Sequence, residues 1–447
     1  MKNLNELAGR ALDMALKAGA DSADVLVADG QTLSIEVRAG ELEHADRSEG
    51  LDVGLRVLVG ARQASMSVSD TSDNALREMA ARAVAMAQEA PDDPYAGLAD
   101  PASLAQNWNT EALELADTAD HPNPAGLKQL ALEAEAAALA VDGITQSQGA
   151  GAGMSDTHIW LAATNGFSGG YRKTTTSVSC VAISGEGLSM ERDYAGEARA
   201  FQSDLPPASE IGTLAGERAV ARSGATKPKT GTYPVLFDER ISSSLIGHLL
   251  AAMNGAAISR GSSFLKDKLG QKILPIGLSV VEDPARPRAA GSRPFDGEGL
   301  PVQKRAWIED GVLVEWIMDL ATARKLGRSS TGNAGRGMSS PPSPSVGNVA
   351  LTEGSKTKEQ LLSDMGTGLW VTSMIGSTIN PNTGDYSRGI SGFWVENGEV
   401  KGPVNEATIA GNLLDFMMRI VPANDARPHL SRVVPSLLVE GLTIAGD

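Results

Sequence analysis

The chain has 447 residues, room for two or three domains at about 100–200 residues each, and 42% of them are hydrophobic but only 4% aromatic. That composition excludes a disordered polymer and leaves Ala, Val, Leu and Ile to fill the cores. A formal net charge of −16, from 55 acidic against 39 basic residues, repels phosphate backbones and argues against nucleic-acid binding.

Leu4, Leu7, Ala8, Ala11, Leu12, Ala15 and Leu16 recur at helical spacing, and Gly19 follows as a stop. Glu6 and Asp13 inside this segment argue against a secretory signal. No stretch approaches the roughly 18 uninterrupted apolar residues of a spanning helix, so the expectation is no membrane and a cytoplasmic location. After Gly19 the period shortens. The stretches DVLVADG, QTLSIEVRAGELE and GLDVGLRVLVGARQASMSVS read as short hairpin strands broken by glycine. Asp70 or Ser72 then caps a helix that stops at Pro91. The first 90 or so residues therefore read α-β-β-β-β-α, an antiparallel sheet with helices on one face.

Residues 91–122 are rich in Pro and Asp and read as an irregular connection, followed by a helix from 124 to 141. Strand signals resume over 143–201, and a helix near 207–223 closes the half. Within this region GAGAGMSD, 149–156, fails the dinucleotide fingerprint G-x-G-x-x-G and reads as a flexible link. The single cysteine, Cys180, lies in the alternating run SVSCVAIS, which predicts a buried structural thiol and excludes a disulfide framework. GATKPKTGTYPVLFDER, 224–240, marks the boundary. The expected architecture is α+β: residues 1–223 as an antiparallel sheet with helices, then 224–447 as a β-rich, barrel- or sandwich-like domain.

Asp238 caps a helix over 239–253, with Ile241, Leu245, Ile246, Leu249 and Met253 as its apolar stripe. His248 lies about 60° from the centre of that stripe, where a packing histidine is commoner than a metal ligand. A catalytic zinc takes three protein ligands plus water, with a carboxylate as the usual base. Ser243 and Ser244 supply neither, and His44, His121, His158 and His429 are scattered over unrelated segments. A serine nucleophile needs an exposed elbow such as G-x-S-x-G, which a mid-helix SSSLIGH lacks.

Two Gly-rich runs stand out, STGNAGRGMSSPPSPSVGN at 330–348 and INPNTGDYSRGISGFWVENGEVKGPVNEATIAGN at 379–412. Such runs fit either a tightly turned barrel with Gly corners or an edge that admits an extended peptide. Asn333, Arg336, Asp385, Tyr386 and Arg388 are the candidate peptide-binding residues.

Together with SIEVRAGELEHADRSEGLDVGLRVLVGARQASMS near the start, these runs resemble the TldD/PmbA family over nearly the whole chain, and its PmbA (TldE) branch in particular. The resemblance implies a heterodimeric metalloprotease. Its TldD-type subunit carries zinc on a His-Glu-x-x-x-His helix with a Cys near the C-terminus, and the complex trims leader peptides and degrades unfolded or antitoxin peptides. The first ligand position falls on Ser243, the catalytic Glu on Ser244 and the second His on His248, and the tail after residue 424 has no Cys. The expectation is a subunit without its own zinc or catalytic residues. It would pair with a TldD-like partner that holds the zinc, accept an extended or unfolded peptide, and possess a capacity to homodimerise when isolated. The rivals are a metallopeptidase active in its own right and a peptide-binding chaperone or adaptor without protease activity.

Overall fold

A computed structural model describes residues 3–447, with the side chains of residues 377 and 378 outside that description. The N-terminal half is built from α1 (Leu4–Lys17), β1 (Ser22–Arg38), β2 (Glu41–Val59), β3 (Arg62–Val68), α2 (Asp73–Glu89), α3 (Pro124–Leu139), β4 (Ile144–Ala163), β5 (Ser168–Ser184), β6 (Glu191–Arg199) and α4 (Ala208–Ala221). Its six strands form one antiparallel sheet in the order β3-β2-β1-β4-β5-β6. In β1 the buried residues Val25, Val27, Leu33, Ile35 and Val37 all point to one face. Helices α1 and α2 pack over the Val25–Val27 end, α3 and α4 over the Leu33–Val37 end. Ser72, rather than Asp70, caps α2 by accepting from Ala75 N.

Two expectations change. Asp24–Gly30 and Gln31–Arg38 are not separate strands but one, because Gly30 continues the ladder by pairing with Gly50 and Thr157. The N-terminal hairpin region thus holds three long strands instead of four. GAGAGMSD is not a link either; it lies inside β4 and pairs with β1 and β5. Its glycines fit a crowded ladder: a Cβ on Gly149 or Gly153 would press on the carbonyls of Val37 or Leu33 at 3.1 and 3.4 Å.

The C-terminal half continues with β7 (Gly231–Phe237), α5 (Glu239–Ala252), α6 (Gly255–Ser259), β8 (Val280–Glu282), β9 (Arg305–Glu309), β10 (Val312–Leu313), α7 (Leu320–Lys325), β11 (Ala334–Gly335), β12 (Ser343–Pro344), β13 (Val349–Leu351), α8 (Lys358–Met365), β14 (Gly368–Ile379), β15 (Asp385–Glu396), β16 (Glu399–Asn412), α9 (Leu413–Met417), β17 (Ile420–Pro422), β18 (Arg432–Val433) and β19 (Leu437–Ala445). Strands β16-β15-β14-β7-β19 run in sequence, and β19 pairs back onto β16 at Thr408–Ala410. That pairing closes a barrel and removes its free edges. A second sheet, β10-β9-β8-β13-β18, lies beside it. The α+β expectation, with a barrel in the second half, therefore holds. The barrel's interior and α5 share one core, in which Phe237, Leu245, Ile246, Leu249, Trp307 and Phe416 are fully enclosed.

The halves are tied by buried ion pairs. Arg336, from the Gly-rich loop between β11 and β12, reaches Asp24 of β1 at 3.0 Å. Arg240 of α5 reaches Asp193 of β6 at 3.2 Å. Among the described residues, no helix is long and apolar enough to cross a membrane.

Candidate functional site

Helix α5 starts where predicted. The Asp238 carboxylate accepts from Arg240 N at 3.2 Å and from the Trp370 indole at 3.0 Å, which fixes the helix entry against β14. Leu245, Ile246, Leu249 and Met253 are buried as the stripe required, and Ile241 packs against the same core half-buried. The opposite face presents Ser243, Ser244, Gly247 and His248, all half-buried.

On that face the Ser244 hydroxyl donates to the Ile241 carbonyl at 2.7 Å, a local helix contact. The Ser243 hydroxyl makes no protein hydrogen bond among the described residues. The His248 ring meets Tyr386 edge-on, centroids 5.9 Å apart at 65°. Tyr386 in turn meets Phe416 edge-on, centroids 5.6 Å apart, and donates its hydroxyl to the Met374 sulfur at 3.2 Å. Burial pushes the Tyr386 phenol up to about 12. Arg388 follows two residues later on the same face of β15, and Arg432 of β18 lays its guanidinium over Gly247, where a Cβ would stand 2.7 Å from Nη1. His248 Nε2 and Arg388 Nε are both buried without a partner. Burial, with Arg388 and Arg432 alongside, lowers the imidazole to about 4, so His248 is neutral near pH 7.

Zinc binds to clustered imidazoles, thiolates and carboxylates. Here α5 offers one imidazole and two hydroxyls, β15 and β18 add two guanidiniums, and a positive charge beside the imidazole opposes a cation. Among the described residues, no group of three or more His, Cys, Asp or Glu is placed to hold a metal ion. The donor set on this face does not fit zinc.

The other candidates separate. Tyr386 and Arg388 adjoin α5. Asp385 is exposed at the first position of β15, accepting from Thr383 and Asn412 at 2.7 and 3.0 Å, bonds that lower its carboxyl. Asn333 is buried in the second half, donating to Glu282 at 2.8 Å and to the Ser345 carbonyl at 3.1 Å. The Arg336 guanidinium is held by Asp24 and borders a cavity of about 150 Å³ with Leu26, Tyr171 and Phe295. The five thus occupy four places rather than one groove.

Sequence reasoning missed a second cluster. His121 and His158 approach Asp156 at 3.5 and 3.8 Å, and Arg172 grips the same carboxylate at 2.7 and 2.8 Å. Burial raises Asp156, but the Arg172 bonds and charge and the two imidazoles together hold it below its ordinary value. His158 and Arg172 pair directly across β4 and β5, and Asp156 is two residues before His158 on the same face. The hairpin register is the signal that finds them; His121 arrives from the irregular connection and leaves no sequence trace. The cluster borders a cavity of about 620 Å³ that includes Trp160 and Tyr171.

Three family descriptions match the chain: the PmbA/TldA metallopeptidase domain 1 over residues 23–87, the central domain over 117–223 and the C-terminal domain over 230–446. The metalloprotease PmbA of Escherichia coli O157:H7 is 36% identical over 451 residues, covering 100% of this chain and 97% of that protein. A crystal structure from Bacteroides thetaiotaomicron, whose name proposes a modulator of DNA gyrase, superposes with a TM-score of 0.92 at 28% identity over 100% of both chains. TldE of Thermococcus kodakarensis shares the fold at a TM-score of 0.85 and 21% identity, covering 98% of this chain and 100% of that one. With matches of this extent along its whole length, the chain belongs to the PmbA/TldD family of metallopeptidases.

Proposed function

We propose that this chain is the PmbA/TldE-like subunit of a cytoplasmic metalloprotease complex that cleaves extended or unfolded peptides, leader and antitoxin peptides among them. The zinc and the catalytic base belong to a TldD-like partner. The observation that carries this reading is the face of α5: Ser243, Ser244 and His248 occupy the ligand, base and ligand positions that the family resemblance implies. Their surroundings are two guanidiniums and a helix carbonyl, which suit neither a divalent cation nor an activated water. Arg388, beside that face, is the residue of this chain assigned to contact substrate, while Tyr386, 2% exposed, backs it from the core.

The test is co-expression with a relative that keeps the His-Glu-x-x-x-His helix, followed by cleavage of an unstructured peptide. The reading expects co-purification in equal amounts and cleavage only when both chains are present. Full cleavage by the partner without this chain overturns it.

A further inference from the structure

We infer that Arg388 and Arg432, flanking Gly247 and His248 on the open face of α5, form a carboxylate-binding site that anchors a peptide by an acidic group. The inference rests on the peptide-handling reading above and adds the chemistry that is recognised. Asp24, Asp156, Asp193 and Glu197 each hold one or more arginines in ion pairs on this chain of net charge −16. Arg388 and Arg432 make no ion pair among the described residues, although acidic side chains outnumber basic ones. Both guanidiniums bear on the His248 ring with no carboxylate of this chain paired to either, so an anion arriving beside that ring is favoured by two positive charges.

The geometry fits a planar anion. Arg388 projects from β15 beside Tyr386, and the Arg432 guanidinium brings its Nη1 up to the one α5 position without a side chain. A Cβ at 247 would displace it. Nε of Arg388 is buried without a hydrogen-bond partner among the described residues. A guanidinium fork matches the two oxygens of a carboxylate. The Ser243 hydroxyl, one helical turn before Gly247, adds a free donor on the same face. The His248 and Tyr386 rings wall the inner side, and the neutral imidazole adds no third charge. A polyanion such as nucleic acid meets the acidic remainder of the surface, whereas one carboxylate on an otherwise uncharged peptide does not.

The test measures binding of three octapeptides of one alanine- and serine-rich sequence to the full chain, each bearing an uncharged fluorophore. One has a free C-terminal carboxylate, one a C-terminal amide, and one the amide with a single internal glutamate. The expected result is that the free acid, the glutamate peptide or both bind roughly tenfold or more tightly than the plain amide. Preference for the free acid assigns the peptide terminus as the source, and preference for the glutamate peptide assigns a side chain. Arg432→Gln, on an exposed side chain whose loss leaves the core intact, removes the preference, and Arg432→Lys restores part of it. Equal binding of all three peptides, or a preference unchanged in Arg432→Gln, overturns the carboxylate site while leaving peptide binding intact. Binding of none overturns the site, and the cleavage assay of the assembled complex then decides separately whether the broader reading stands.

Discussion

Arg336 and Asp24 are 312 residues apart in sequence, yet their side chains are joined by a hydrogen bond of 3.1 Å from Nε to Oδ1. Asp24 also receives Nε of Arg56 at 2.6 Å on its other oxygen, so one buried carboxylate holds two guanidiniums across the junction of the halves. Met338, two residues on, lies against Gly54, where a Cβ would run into its carbonyl. The Gly-rich loop is therefore a built contact with the N-terminal sheet.

Removing one member of this triad leaves a buried charge short of its partner. Asp24→Asn, which leaves both Arg56 and Arg336 uncompensated, is expected to cost about 3–5 kcal/mol. Arg336→Met, which keeps the Asp24–Arg56 pair, is expected to cost less. Urea midpoints of the two variants, with the N- and C-terminal halves followed by separate probes, check the order.

His248 makes stability depend on pH. Its folded value of about 4 lies below the ordinary 6.5, so the unfolded chain binds the proton first. The contribution is complete above about pH 6.5 and is lost as the pH falls toward 4. The groups facing the ring are Arg388 of β15, Arg432 of β18 and the phenol of Tyr386, which burial raises to about 12, far above that window. With the half-exposed ring screened by solvent, the effect is about 1–2 kcal/mol. A His248→Gln variant is expected to lose less stability than the parent between pH 6.5 and 4.5, and denaturant midpoints at the two pH values measure the difference.

Restoring the two missing motif residues is not expected to restore a metal site. The pair of substitutions Ser243→His and Ser244→Glu adds one ligand and a base, but Arg432 still covers Gly247 and the chain's single thiol, Cys180, is buried in β5. The purified variant is expected to carry zinc far below one equivalent after dialysis, as read by elemental analysis.

Cys180 is buried in β5, and burial, with Glu135 nearby, raises its thiol to about 12. The folded chain is expected to resist iodoacetamide at pH 8, and the same chain in urea to alkylate fully, as read by intact mass. Rapid labelling of the native protein would show that the β5 face opens.

Much of the fold is legible because its signals are local. The stripe Leu245, Ile246, Leu249 and Met253 places α5, Asp238 starts it, and the alternation around Cys180 gives a one-sided strand. Glycine obscured the rest. Gly30, Gly151 and Gly153 look like breaks, but they lie inside strands and continue their ladders. The candidate site is legible only in part. Tyr386 and Arg388 alternate onto one face of β15, and the helix pattern leaves Ser243, Ser244 and His248 off the core. Arg432 is invisible until the two-residue strand β18 delivers it to α5, and Asn333 and Arg336 look like surface residues until Glu282 and Asp24 are brought to them. Long-range ion pairs have no period to read.

The central claim is that this chain shapes substrate while another subunit carries the metal. The most direct measurement is the zinc content and peptidase activity of the purified chain alone, after saturation with zinc and dialysis. The account predicts zinc well below one equivalent per chain and no cleavage of an unstructured peptide. One equivalent of tightly held zinc together with peptide cleavage by the lone chain would contradict it.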